Sequence, residues 1–442
     1  MQTQPQREGT TAISLRSYWR LVRTNTNFRR LWMAQIVSEI GDWFYSIAIY
    51  DLLLQMTGRV SSVALALVLQ VLPQTLVGPI AGVVNDRIRR KQVMIFADLA
   101  RTVIVFSMLV TRSRSMLWLV YPLLFMESVM WAFFEPARTA AIPNVASHED
   151  LILANTLSSA TWSFNLLIGA ALGGFALALL GSSALFVLNS LSFLVSALLI
   201  SGMRFHEPHA HPSARLRLRD LFDYSAIGDG IRYVRRDRRL LATLFVKTGL
   251  ATMGVSWVLF TVMGERVFPL RWHGLEPQRS AVLGMSMLLG ARGIGAVVGP
   301  LVAARWAGQN QNRLRIGILL GFLALALGYG ALGGAGSLVV ACLWVILAHC
   351  GGSTVWVFST TLLQLNTDDK FRGRVFSAEL GLSMVTLAVG SYLTGLFLDH
   401  GVTPRTVATA TGLIMLIPAG LWALVTRISK PAPVAISADA AD

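Results

Sequence analysis

The chain has 442 residues, of which 54% are hydrophobic and 14% charged. An ordinary soluble domain carries about 25% charged residues, so a soluble globular fold is excluded. A net charge of +15 would point a soluble protein toward nucleic acid, but on so hydrophobic a chain the placement of the charges decides their meaning.

A helix needs about 20 apolar residues to cross roughly 30 Å of hydrocarbon. Twelve such segments are predicted, over approximately 30–55, 61–84, 92–111, 116–140, 151–179, 183–203, 241–265, 281–305, 313–333, 337–363, 375–399 and 403–427. Residues 1–29 are polar and show no cleavable signal peptide, so the first helix is expected to be its own insertion signal. With the N-terminus taken as cytoplasmic, 28 of the 38 Lys and Arg residues fall in cytoplasmic segments and 7 in external loops. The other three, Arg101, Lys247 and Arg292, lie within helices. This is the positive-inside asymmetry, and it places both termini in the cytoplasm of a multi-pass protein of the inner (plasma) membrane. The basic charge is topological, and no nucleic-acid partner is expected.

The first helix holds S-E-I-G-D-W-F-Y, residues 38–45, with two carboxylates in an apolar run. Gln35, Glu39, Asp42 and Ser46 recur at spacings that put them on one helical face. Charge at membrane depth is costly and usually faces a polar interior. Glu127 in the fourth helix and Arg292 in the eighth lie at similar depth. Three acids and one base in a low-dielectric cavity favour keeping a proton on at least one carboxyl, which suits a proton carrier. Asp42 lies nearer the helix midpoint than Glu39 and is the first choice. The competing reading gives Asp42 a structural bond to backbone or to a neighbouring helix.

Residues 82–91, after the second helix, read G-V-V-N-D-R-I-R-R-K. Gly82 permits close helix approach, Asp86 can face a helix N-terminus, and the basic group Arg87, Arg90 and Lys91 can pair with a carboxylate, for which Glu135 is the candidate. The equivalent loop of the second half lacks the Asp. Residues 204–240 form the longest polar interval and divide the helices six and six. V-G-P-I at 77–80 and V-G-P-L at 298–301 match at an offset of 221 residues, half the chain, which suggests parallel duplication. The expected layout is an arm (1–29), a six-helix bundle (30–203), a linker (204–240), a second six-helix bundle (241–427) and a tail (428–442). Gly169, Gly173 and Gly174 on the fifth helix, and Gly293 and Gly299 on the eighth, are read as close-packing positions.

The loop 82–91 resembles the signature of the major facilitator superfamily, with Arg89 where the second glycine usually stands. N-F-R-R-L-W-M-A-Q-I-V-S-E-I-G-D-W at 27–43, T-G-R-V at 57–60, A-I-P-N-V-A-S-H-E-D-L-I-L-A-N-T-L at 141–157, L-F-V-L-N-S-L-S-F-L-V-S-A-L at 185–198 and F-R-G-R-V-F-S at 371–377 resemble the bacterial branch with the enterobactin exporter and macrolide-efflux proteins. The resemblance implies an all-α membrane fold of two six-helix bundles with pseudo-two-fold symmetry. It further implies that the first helix lines a central cavity and that the 82–91 loop latches the cytoplasmic side. A proton-coupled exporter of an amphiphilic small molecule, of the drug or siderophore class, working by alternating access, is the first expectation. A lysophospholipid flippase, with a lateral opening and a lipid-like ligand, is the alternative. The G-D pair recurs in lysophospholipid transporters and in other relatives with dissimilar cargo, which counts toward the structural reading of Asp42.

Other chemistries find no support in the residues. There is no G-x-x-x-x-G-K-[ST] loop for ATP, and no H-E-x-x-H or nucleophile cluster for an enzyme. The glycines of G-A-R-G-I-G-A-V-V-G, 290–299, do not have dinucleotide spacing. His206, His209 and His211 are separated by Pro208, so no metal site is expected, and no cofactor. Cys342 and Cys350 lie too far apart on one helix to pair. Partners are expected to be the substrate, protons and membrane lipids, with the chain a monomer.

Overall fold

Fourteen α-helices build the fold among the described residues, which contain no β-strand. The computed structural model describes residues 15–147, 149–207, 232, 235, 238–270, 273, 277–308, 310–367 and 369–428. In chain order the helices are α1 (Leu15–Thr24), α2 (Thr26–Thr57), α3 (Val60–Arg87), α4 (Arg90–Ser107), α5 (Val120–Val145), α6 (Leu151–Leu180) and α7 (Ser182–Ser201). The second half holds α8 (Arg238–Ala251), α9 (Val255–Val262), α10 (Pro277–Ala307), α11 (Gln311–Leu332), α12 (Leu338–Leu365), α13 (Asp369–Asp399) and α14 (Pro404–Ile428). Ten spans are long and apolar enough to cross a membrane, with α8 and α9 joined in one of them. The remaining long helices, α2 and α6, have 32 and 30 residues. These make up the twelve predicted crossings. Residues 1–14 of the expected arm, most of the linker and nearly all of the tail lie outside the described residues.

Local chemistry sets several boundaries. Asn25 caps α2 by accepting from the Phe28 N–H, and Gly58 ends it at φ +67, a left-handed conformation that favours glycine. Ser337 and Asn310 cap α12 and α11 through their side chains. The short α1 had been included in the polar arm. It is amphipathic, with Leu21 buried and Trp19 exposed, and Arg20 pairs with Asp150 at 3.0 Å. The predicted seventh crossing is not one regular helix. A 3₁₀ turn at Thr252–Gly254 separates α8 from α9, and a π-helical turn follows at Met263–Val267. At Gly254 a Cβ would stand 2.7 Å from the Leu387 carbonyl oxygen of α13, so the irregular turn sits where two backbones nearly touch.

The contacts show the internal symmetry. In the first half α2 packs on α6 and α7, α4 on α5 and α7, and α3 on α5. Advanced by six crossings, these become α8 on α13 and α14, α11 on α12 and α14, and α10 on α12, and all are present. Between the halves α6 packs on α10 and α3 on α13, a pair of contacts that the same operation exchanges. The bundle therefore has a pseudo-two-fold axis, and an end where α2 starts and α14 stops, called here the terminal end. At the opposite, far end Asp399 of α13 accepts from the Val60 and Ser61 N–H groups of α3 at 2.7 and 2.9 Å.

Candidate functional site

A cavity of about 370 Å³ lies mainly against the first half. α2 presents Gln35, Glu39, Asp42 and Ser46 to it on one face, as the spacing predicts. α3 adds Gln70 and Gln74, α5 adds Glu127, Trp131 and Glu135, and Trp162 and Trp257 close the wall from α6 and α9.

Arg101 of α4 is the centre of charge. Its side chain is 1% exposed and lies between the Phe134 and Phe193 rings, 4.6 and 4.0 Å from their centroids. Nη2 pairs with Asp98 Oδ1 at 2.5 Å, while Nη1 stands 3.8 Å from Asp42 Oδ2 and 4.0 Å from Glu127 Oε1. Asp98 makes the close contact, so Asp42 and Glu127 share what remains of the cation's field. The second oxygen of Asp42 is buried without a hydrogen-bond partner. One guanidinium facing three carboxylates leaves an excess of negative charge that protons or a ligand cation can neutralise.

One helical turn toward the terminal end a second network has different properties. Glu39 accepts from Gln35 Nε2 at 2.8 Å and from Asn165 Nδ2 at 2.7 Å. Gln35 Oε1 accepts in turn from Arg138 Nη1 at 2.9 Å, and Arg138 binds Glu135 at 2.5 and 2.9 Å. Glu39 is thus held by amide donors. Glu135, expected to face the basic loop, pairs with Arg138 on its own helix.

Arg292 does not line this cavity. Its Cζ lies 3.7 Å above the Trp257 ring, and Trp257 stacks on Trp43 at 5.6 Å between centroids. The guanidinium is therefore one side chain behind the wall. From sequence Arg101 is noted only as a cation within a helix, and Asp98, Arg138 and Asn165 are not singled out. The i, i+3 spacing of D-L-A-R at 98–101, inside an apolar helix, was the signal that could have paired Asp98 with Arg101.

A family model described as "Transmembrane secretion effector" matches residues 17–437, nearly the whole chain. The chain belongs to this family of major facilitator transporters. It is 25% identical over 355 residues to a candidate bacilysin exporter, BacE, of Bacillus amyloliquefaciens, covering 80% of this chain and 82% of that protein. It is 23% identical over 379 residues to macrolide efflux protein A of Streptococcus pyogenes, covering 84% and 89%. Among solved structures, a bacterial homolog of the human lysosomal transporter Spinster, inward-facing and unoccupied, superposes with a TM-score of 0.64 at 13% identity, over 95% of this chain and all of that one. The chain is a multi-pass membrane transporter with efflux proteins among its relatives, and not an enzyme.

The superfamily loop is only partly in view, because the Asp86 side chain lies outside the described residues. Arg90 Nη1 donates to the Ala140 carbonyl at 2.7 Å and to Asn144 Oδ1 at 2.9 Å, fastening the start of α4 to the last turns of α5. Lys91 Nζ donates to the Met203 carbonyl at 2.7 Å, just past the end of α7. Gly82 has nothing within 4 Å of where a Cβ would stand. Of the other glycines, Gly169 lies against Trp43, Gly173 against Ile47 and Gly299 against the Cys350 backbone, while Gly293 is buried.

Proposed function

We propose that this transporter exports an amphiphilic small molecule across the inner membrane in exchange for protons, by alternating access, with both termini in the cytoplasm. The observation that carries the reading is the Asp42 and Glu127 pair on the cavity wall, set against a single buried Arg101 that Asp98 already engages. A wall group with uncompensated charge at membrane depth can take a proton on one side of the membrane and release it on the other. Aromatic Trp43, Trp131, Trp162 and Trp257 give the same cavity an apolar lining suited to an amphiphile.

Closure at one end agrees with this cycle. The Asp399 contacts join the halves at the far end, and Arg266 Nη2 donates to the Gly58 carbonyl there at 3.2 Å. Toward the terminal end, nothing stands within 4 Å of where a Cβ would be on Gly78 or Gly82 of α3. With the termini in the cytoplasm, as proposed, a state closed at the far end faces the cytoplasm. Everted membrane vesicles provide the test, with the fluorescent amphiphile Hoechst 33342 as probe. Acidifying the lumen is expected to drive accumulation that a protonophore collapses; accumulation indifferent to the proton gradient would reject the coupling.

A further inference from the structure

Arg292 is a charged group inside the bundle that the exchange cycle leaves unused. A guanidinium presents five N–H donors and carries its charge at all physiological pH values. Here Nη1 is buried with no hydrogen-bond partner, and among the described residues no carboxylate lies in salt-bridge distance of it. The guanidinium lies 3.7 Å from the centre of the Trp257 ring, and the phenol groups of Tyr50 and Tyr329 lie within its electrostatic reach. A cation–π contact offsets only part of the cost of taking a guanidinium out of water.

The wall that separates Arg292 from the cavity is thin. Trp257 and Tyr50 both line the cavity; the Trp257 ring lies against the guanidinium, and Tyr50 lies within its electrostatic reach. Trp257 stacks on Trp43, whose chain neighbour Asp42 has an unpartnered buried oxygen. The cavity wall therefore carries an acid with spare charge and two stacked indoles, and behind one of these indoles stands a base with an unpartnered donor. Each charge is held where the other cannot neutralise it.

We infer that the site is built for a zwitterionic amphiphile, whose ammonium group sits at Asp42 and Glu127, whose apolar body lies along the Trp43 and Trp257 rings, and whose carboxylate enters beside Tyr50 to meet Arg292. This rests on the reading of the cavity as the substrate site. A purely cationic ligand leaves Arg292 unmatched, and a purely anionic one meets the acids without compensation. An ammonium group at Asp42 also competes with a proton there, which couples release of one to capture of the other.

Three dipeptide probes that differ only in charge test this at equilibrium, by tryptophan fluorescence titration of the purified protein without any gradient. Leucyl-phenylalanine carries both charges, its C-terminal amide only the positive one, and N-acetyl-leucyl-phenylalanine only the negative one. The zwitterion is expected to bind roughly ten- to a hundredfold more tightly than either blocked form, the range of one buried charge-assisted hydrogen bond. Arg292→Gln is expected to bring the zwitterion down to the level of the amide while leaving the amide unchanged, and Arg292→Lys to restore part of the difference. The unliganded melting temperature of each variant separates loss of fold from loss of recognition. An amide that binds wild type as tightly as the zwitterion overturns the dipolar site and leaves the transport reading standing, and so does an Arg292→Gln loss equal for zwitterion and amide. Failure of all three probes to bind counts against both.

Discussion

Asp399 caps a helix of the other half: its two carboxylate oxygens accept from the backbone N–H groups of Val60 and Ser61, at the start of α3, from 339 and 338 residues away. The first N–H groups of a helix have no partner of their own, and a carboxylate there gains from both hydrogen bonds and the helix dipole. Because these contacts join α13 to α3 at the far end, they favour the state closed there. Asp399→Ala is expected to shift the population toward the far-open state by about 1–2 kcal/mol, the typical range for loss of a cap. A cysteine placed at cavity residue Gln70, with Cys342 and Cys350 replaced by serine, is then expected to label faster from the far side. Unchanged labelling would show that the cap does not bias the cycle.

The duplicated V-G-P stretches make a prediction by their difference. Gly299 packs against the Cys350 backbone so closely that a Cβ would overlap it, whereas nothing stands within 4 Å of a Cβ on Gly78. Sequence repeats, yet only one copy is packed. Gly299→Ala forces α10 away from α12 and is expected to cost about 1–3 kcal/mol, the range for overpacking. Gly78→Ala is expected to leave the fold intact. The check is the melting temperature of both variants in the same detergent, and equal behaviour would contradict the packing asymmetry.

Hydrophobic periodicity made all twelve crossings legible, because hydrocarbon demands length and apolarity whatever the neighbours. The face shared by Gln35, Glu39, Asp42 and Ser46 was legible for a related reason, since polar spacing within one helix needs no tertiary knowledge. What the spacing does not give is which charges from different helices meet. Arg101 and Asp98 are an ordinary i, i+3 pair until α4 is docked beside α2 and α5. Arg292 matches the acids in depth along the membrane, and only the intervening Trp257 ring removes it from their chamber. Glu135 is the expected partner of the basic loop because it lies near the same end of the fourth helix, but Arg138 is three residues away on the same helix and wins by proximity.

The basic loop offers a third prediction. Arg90 fastens α4 to the last turns of α5, so the loop forms one unit with the first half. Asp86 stands in the same segment, four residues beyond Gly82, on the stretch of α3 whose glycines have open space around them. We propose that the Asp86 carboxylate meets a facing helix when the terminal end closes. Asp86→Asn is expected to insert and fold normally while sharply reducing transport, with cysteine labelling shifted toward a more open terminal end. Wild-type transport by the Asn variant would remove the loop from the gating mechanism.

The last prediction separates the carboxylates of the α2 stripe. Glu39 is engaged by two amide donors, from Gln35 and Asn165, and Glu39→Gln keeps a side chain able to join that network. Asp42 has a distant share of Arg101 and one buried oxygen with no hydrogen-bond partner, so its charge is the easier of the two to neutralise. A ligand ammonium group and a proton compete for such a carboxylate. Lowering the pH fills it with protons, and wild-type affinity for a zwitterion such as leucyl-phenylalanine is expected to fall as pH falls. Asp42→Asn removes the competition: affinity becomes weaker and flat with pH, gradient-driven accumulation is lost, and downhill flux persists. Glu39→Gln retains the pH dependence and the uphill transport. Glu127→Gln, which keeps Asp42 beside Arg101, is expected to reduce accumulation without abolishing it. If Asp42→Asn still concentrates substrate against its gradient while Glu127→Gln does not, the proton resides on Glu127. Uphill transport by all three variants would make the stripe structural and place the coupling elsewhere in the protein.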